Sequence, residues 1–319
     1  MNVLMLAAGL GTRLRPITDH VPKPCVPFLN VPLGLWNFRF TRHLQISKLV
    51  VNTFHLPKQI VDLYSNQNYF SGSVDFSHEQ GQILGSAGGL KKASALFSED
   101  DDDTVLMLNA DEILFDVDEM FLKNAYQQHK SNKNLATLIT MSHPEAGTKF
   151  GAIWCEGLRV KNIGKTRASA AHAPFHYVGM IFLNKSLLEE IPADKEYNIF
   201  YDLLNYKLET HRVEIFNLNC TWFETGNFSD YFNAVKTILP KLDQNTLSFI
   251  SQYDESRLIQ NSGGCSLVSN QFKDLAAERF FGFSTVAKTT NPKLLQSSGL
   301  ISDSVFFSNY RLNADYFKV

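Results

Sequence analysis

The chain has 319 residues, of which 44% are hydrophobic and 19% charged, so it holds apolar material for one large core or two modest ones and is too weakly charged for a disordered protein. Its formal net charge of -2 excludes a broad basic face for nucleic acid or anionic lipid, and any anion must be held by individually placed residues. Four separated cysteines, Cys25, Cys155, Cys220 and Cys265, show no C-x-x-C pair and no histidine at zinc spacing, which makes them reduced structural thiols.

The first apolar run, Val3 to Ala8, lacks a basic segment before it and meets a Gly/Arg-rich loop at once, so it reads as a strand and not as a secretory leader. No other run is long enough to cross a bilayer, and a cytoplasmic location without membrane attachment is expected. From there to about residue 140, β-rich runs alternate with segments of helical period. Strands are predicted at Asn2–Ala7, Lys48–Thr53, Ser73–Ser77 and Thr104–Asn109, with helices at Leu33–Ile46, Pro57–Ser65 and Gly89–Phe97 between them. The acidic run Glu99–Asp103 reads as a solvated loop. Further strands are expected near Gly151–Cys155 and His176–Leu183, and a helix near Ile199–Glu209. Phe228, Tyr231, Phe232, Val235, Ile238 and Leu239 recur at helical spacing before Pro240, marking a closing helix. This alternation predicts an α/β fold: a Rossmann-like, mostly parallel sheet with helices on both faces, spanning residues 1–240. Residues 241–319, richer in Ser, Asn and Gly, are expected to form a small β-rich C-terminal appendix suited to assembly, including a homo-oligomer, or to covering the site.

The stretch LAAGLGTRLRP, residues 6–16, follows the first buried strand with glycines at 9 and 11 and a threonine and two arginines just beyond. Glycine lets the backbone turn its amides toward a ligand, and Arg13 adds a fork that suits phosphate. A dinucleotide fingerprint would need glycine where Leu14 stands, and the Gly-Lys-Ser/Thr of a Walker loop is absent. Lys23 lies between Pro22 and Pro24, which stiffen the backbone and fix its ammonium.

These residues resemble the sugar-1-phosphate nucleotidyltransferases, whose signature is L-A-A/G-G-x-G-T-R-L-x-P followed by P-K-P/Q. The likeness continues in EQGQILGSAGGL (79–90), LNADEI (108–113), KFGAIW (149–154) with Gly164-Lys165-Thr166, and TWFETGNFSDY (221–231). The overall flavour is that of the mannose-1-phosphate guanylyltransferase branch. The resemblance implies transfer of a nucleotidyl group from a nucleoside triphosphate, GTP favoured over UTP or dTTP, to a sugar 1-phosphate, with release of pyrophosphate. It further implies a triphosphate and base site at Ala7, Ala8, Gly9, Gly11, Thr12, Glu79, Gln80 and Gly85, and catalytic cations at Arg13 and Lys23. A sugar-phosphate site would include Gly151 and Lys165. A magnesium ion (Mg2+) would be held by Asp111 and Glu224. Three departures stand out: Ala110 replaces glycine, Gly164 replaces the glutamate of E-K-P, and Glu224 is one methylene longer than the usual aspartate. They keep a second class open, a catalytically weak member that binds nucleotide or nucleotide sugar as a sensor or regulatory subunit.

Overall fold

The computed structural model describes residues 1–251 apart from 30, 66–71, 100–101, 168 and 239–240. Within them the chain divides into two compact units: Met1–Gly9, Asn37–Phe54 and Tyr69–Trp222 form the first, and Leu10–Trp36, His55–Asn68 and the segment from Phe223 onward form the second.

The first unit is built on a nine-stranded sheet whose strands, in chain order, are β1 (Asn2–Leu6), β2 (Lys48–Thr53), β3 (Ser73–His78), β4 (Thr104–Asn109), β5 (Ala136–Met141), β6 (Ala152–Glu156), β7 (Arg159–Gly164), β8 (Ala173–Asn184) and β9 (Val213–Leu218). Their order across the sheet is β3-β2-β1-β4-β8-β5-β9-β7-β6, with β8 also pairing with β6. β3, β2, β1 and β4 run parallel, as do β5 and β9, and β8 lies antiparallel between β4 and β5. Of the parallel strands, β1 and β4 are buried almost end to end, which is why they read as unbroken apolar runs instead of alternating ones, whereas the edge strand β3 is mostly half-exposed. Leu4, Val50, Val105, Met107, Leu138, Ile181 and Ile215 join Ala87 and Leu90 of the helix Gly85–Ala93 in one core. At about 25 cal/mol per Å² of buried apolar surface, such a cluster supplies the main driving force for folding this unit.

Two expected helices are largely absent. The stretch 33–46 forms only a 3₁₀ turn at Leu33–Leu35 and a single helical turn at Phe38–Thr41. Pro32 and Gly34 interrupt the start, and the Tyr64 hydroxyl donates to the Gly34 carbonyl at 2.9 Å in place of a helical partner. The stretch 199–209 forms a π-helical turn, Ile199–Leu203, and a 3₁₀ turn, Leu204–Tyr206. A third helix, Gly85–Ala93, begins four residues before the expected position. Its glycines explain the shift: Gly85 sits at φ +70°, where a Cβ would lie 2.9 Å from the Tyr197 carbonyl oxygen, and a Cβ on Gly88 would overlap the Lys195 carbonyl. That close approach lets Tyr197 accept from the Ala87 and Gly88 amides at 2.9 and 3.1 Å, capping the helix from another segment.

The second unit contains a short hairpin, Pro27–Phe28 with Val31–Pro32, and the helices Pro57–Ser65, Phe228–Ile238 and Gln244–Ser251. Phe28 packs edge-on against Trp36 and Tyr231 at 5.6 and 5.8 Å between ring centroids, and Trp36 meets Phe249 at 5.3 Å. The described start of the expected β-rich appendix is therefore helical, because Gln244–Ser251 lays Phe249 on this aromatic cluster; the remainder of that appendix lies outside the described residues. No helix among the described residues is long and apolar enough to cross a membrane.

Candidate active site

In the sheet of the first unit, successive strands β1, β2 and β3 step one way and β4 returns to the other side of β1. Loops leaving the C-terminal ends of two such strands diverge and leave a crevice, the place where open α/β sheets bind ligands. Here those loops are Ala7–Gly9 after β1 and Ala110–Glu112 after β4. The second loop is tied to the end of β1, since the Ala110 amide donates to the Leu6 carbonyl at 3.2 Å. Ala7 and Ala8 are buried, whereas Gly9 is exposed with open space where a side chain would stand. Asp111 is half-buried in the turn that follows β4.

Next to it, Glu112 is held from two sides: Asn109 donates to one carboxylate oxygen at 3.0 Å and the Trp222 indole to the other at 2.8 Å. Gly179, at φ +76° in an irregular stretch of β8, leaves the space that the Glu112 side chain fills. Trp222 in turn covers His176, at 4.3 Å between ring centroids, and Phe150 and His143 close the same box. Both ring nitrogens of His176 are buried without a hydrogen-bond partner among the described residues. Burial, with the neighbouring His143 charge second, lowers its pKa to about 4, so the ring is neutral at physiological pH. The sequence motifs contain Glu112, Phe150 and Trp222 but assigned them no role and gave no sign that they meet His176 and His143. The signals that were there are the acid following Asp111 and a histidine in a strand otherwise apolar.

Glu79 has a framework role. It is 5% exposed; one oxygen accepts from Asn52 at 2.7 Å and the other from the Leu84 amide at 2.7 Å. Asn52 also accepts from the Ala7 amide at 2.7 Å, so the pair locks the start of the phosphate loop to the segment before Gly85–Ala93. The expectation that Glu79 reads a base meets a carboxylate already occupied by these donors, while Gln80 and Gln82 are exposed beside it. Gly85 likewise serves the close contact with Tyr197 described above.

On the outer strands, Gly151 precedes β6, and Lys165 is exposed directly after β7. Gly164, the last residue of β7, adopts φ +147°, a conformation that a glutamate would enter only with strain.

In the second unit, Gly11 at φ +61° leads the turn Thr12–Leu14, and its carbonyl accepts from the Thr18 hydroxyl at 2.8 Å. A Cβ at Gly11 would lie 2.9 Å from Thr18 Cγ2 and 3.3 Å from the Lys23 Cβ, so the absent side chain makes room for both. Thr12 and Arg13 are exposed. Glu224 accepts from the Gly226 amide at 2.7 Å, and the same oxygen lies 3.7 Å from the Arg13 guanidinium. With Arg13 two-thirds exposed, this is a guiding contact more than a stabilising one. The carboxylates expected to share a metal ion thus belong to separate units, Asp111 to the first and Glu224 to the second. Among the described residues, no three His, Cys, Asp or Glu side chains converge on a metal position.

The comparisons with known proteins agree with this architecture. Residues 2–241 match the Nucleotidyl transferase family, and the chain belongs to it. Among its relatives, the UTP–glucose-1-phosphate uridylyltransferase of Synechocystis sp. is 30% identical over 258 residues, 77% of this chain and 65% of that protein. The mannose-1-phosphate guanyltransferase 2 of Candida glabrata is 27% identical over 290 residues, 87% of this chain and 73% of that protein. The UDP-glucose pyrophosphorylase of Acinetobacter baumannii shares the fold with a TM-score of 0.64 at 19% identity, covering 81% of this chain and 98% of its own. The chain therefore spans about two thirds to three quarters of the two sequence relatives named.

Proposed function

We propose that this chain transfers a nucleotidyl group from a nucleoside triphosphate to a sugar 1-phosphate, forming a nucleotide sugar and pyrophosphate. The observation that carries the reading is the position of Ala7–Gly9 and Asp111 at the ends of β1 and β4, where the strand order reverses, in a chain of the Nucleotidyl transferase family. The attacking phosphate needs no general base, being largely ionised at neutral pH with a second pKa of about 6. Catalysis is then positioning and charge neutralisation. Backbone amides around Gly9, Gly11 and Thr12 receive triphosphate oxygens, Arg13 and Lys23 neutralise the departing pyrophosphate, and Lys165 receives the phosphate of the sugar.

Asp111 fits a magnesium ion, because its carboxylate supplies hard oxygen from a half-buried turn and such an ion takes only one or two carboxylates, with phosphate oxygens and water filling its shell. Bound there, it would withdraw charge from the phosphates. Glu224 offers a second carboxylate, one oxygen of which already serves Gly226.

The preference for GTP, expected from LGSAGGL and Glu79, loses the part of its support that rests on Glu79, since that carboxylate is buried and bonded. We assign base reading to the exposed amides of Gln80 or Gln82, which suit the donor and acceptor edge of uracil or thymine. A cytoplasmic location accords with Cys155 and Cys220, which form no disulfide among the described residues. The test is a matrix of GTP, UTP and dTTP against glucose 1-phosphate and mannose 1-phosphate with magnesium, followed by pyrophosphate release. Turnover that requires all three components supports the reading. Nucleotide binding without turnover in any pairing would replace it with a sensor.

A further inference from the structure

Tyr201 is one of only four large hydrophobic side chains that stand exposed among the described residues, at 54%. It does so on a rigid support. The π-helical turn Ile199–Leu203 is capped by Asn198, whose side-chain oxygen accepts from the Phe200 and Tyr201 amides at 2.9 and 3.1 Å. Asp202 closes the turn from the other end, accepting from the Asn198 amide at 2.7 Å and, through its carbonyl, from the Tyr197 hydroxyl at 2.7 Å. Ile199 donates to Ser86 at 2.9 Å, and Phe200 packs edge-on against Tyr177 at 4.9 Å. Single π turns are rare and are frequent at functional sites.

The side chain they aim lies over two glycines. A Cβ at Gly151 would be 3.7 Å from the Tyr201 hydroxyl oxygen, and a Cβ at Gly164 would be 3.7 Å from its ring carbon Cε1. Gly164 is where the resemblance led us to expect a glutamate, and its φ of +147° disfavours any larger residue. The phenol therefore stands next to the place such a side chain would take, one residue from the exposed Lys165. Its hydroxyl has no partner among the described residues, so both an apolar face and a polar tip are on offer.

Resting on the function proposed above, we propose that Tyr201 is the specificity-determining residue for the sugar: its ring stacks on the C–H face of a pyranosyl 1-phosphate whose phosphate is held by Lys165, and its hydroxyl bonds a ring hydroxyl. An aromatic face carries negative potential and a pyranose ring presents weakly positive C–H groups, so contact is favourable and desolvates both. An acyclic or purely inorganic phosphate offers no such face and should not sense Tyr201.

The test uses the full chain and its Tyr201→Phe and Tyr201→Ala variants. Steady-state constants are measured with UTP and GTP against glucose 1-phosphate and mannose 1-phosphate, together with saturation-transfer NMR on the same sugar phosphates and inhibition by inorganic phosphate. Tyr201→Ala should raise the sugar-phosphate KM about tenfold, the scale of one lost aromatic contact, and Tyr201→Phe about threefold. Nucleotide KM and inhibition by inorganic phosphate should stay at parental values. Parental KM and saturation transfer in Tyr201→Ala would overturn the assignment and leave the transferase reading standing. An equal rise in all three constants would also overturn it, as general damage to the turn. If the parental chain binds a sugar phosphate without turnover and Tyr201→Ala abolishes that binding, the assignment holds and the transferase reading falls. If the parental chain binds no sugar phosphate, both fall.

Discussion

Gly179 and Glu112 share one volume. A Cβ built on Gly179 would overlap the Glu112 side chain, and φ +76° at Gly179 already lies where only glycine is at ease. The missing side chain on β8 is what lets the carboxylate lie between Asn109 and Trp222.

Gly179→Ala should accordingly destabilise the protein by about 2–4 kcal/mol, summing left-handed backbone strain and overpacking. Thermal unfolding measures it. Placing the same change in a Glu112→Ala background should recover the overpacking share, leaving a non-additivity of about 1 kcal/mol or more. Strict additivity would mean that the two side chains do not compete.

Asp111→Ala should lower kcat by about a hundredfold or more, on the scale of one lost electrostatic stabiliser. Turnover followed against magnesium concentration checks this. Near-parental turnover at saturating magnesium would remove Asp111 from the proposed metal site and the mechanism with it.

Glu224→Asp should be mild, within about tenfold by the same scale, whereas Glu224→Ala should raise the magnesium requirement. Because Glu224 also lies near Arg13, the alanine variant should weaken triphosphate binding as well. An alanine variant unchanged in both respects would make Glu224 a simple turn residue that serves Gly226.

His176 and His129 should make the protein sensitive to mild acid. Each is buried with a folded pKa lowered to about 4, against about 6.5 when unfolded. Below the unfolded value the unfolded chain binds more protons than the folded one, so stability is full above about pH 6.5 and falls as pH drops toward 4. Each group accounts for a loss on the order of 3 kcal/mol across that window. His176→Phe keeps an aromatic ring in the box with Trp222 and Phe150 and should flatten the acid side of a stability profile measured by denaturant unfolding. An unchanged profile would place the acid sensitivity elsewhere.

Much of the fold was legible because it depends on local pattern. β2 and β4 fall on the expected residues, and the helix Pro57–Ser65 does too, since Lys48–Thr53 and Thr104–Asn109 are apolar runs bounded by polar breaks. The helix Gly85–Ala93 was misplaced because its start is decided by the Tyr197 carbonyl, more than 100 residues away, and not by its own residues. The framework bonds of Glu79 were hidden for a similar reason: its motif position says nothing of Asn52, which binds it from a separate strand. Glu112 and Tyr201 were missed because their roles depend on space left by Gly179, Gly151 and Gly164, and an absence of atoms leaves no periodic trace.

The insertion of β8 between β4 and β5 bears on how the chain is made. Until residues 173–184 have left the ribosome, β4 has β1 on one side only and presents a bare edge along Leu106, Met107 and Leu108. Such an edge is a template for pairing with other nascent chains. At about 5–20 residues per second, the interval between the synthesis of β4 and that of β8 lasts several seconds. Slow translation across residues 110–184 should thus favour aggregation of this protein, and a chaperone that shields the edge during those seconds should raise its soluble yield.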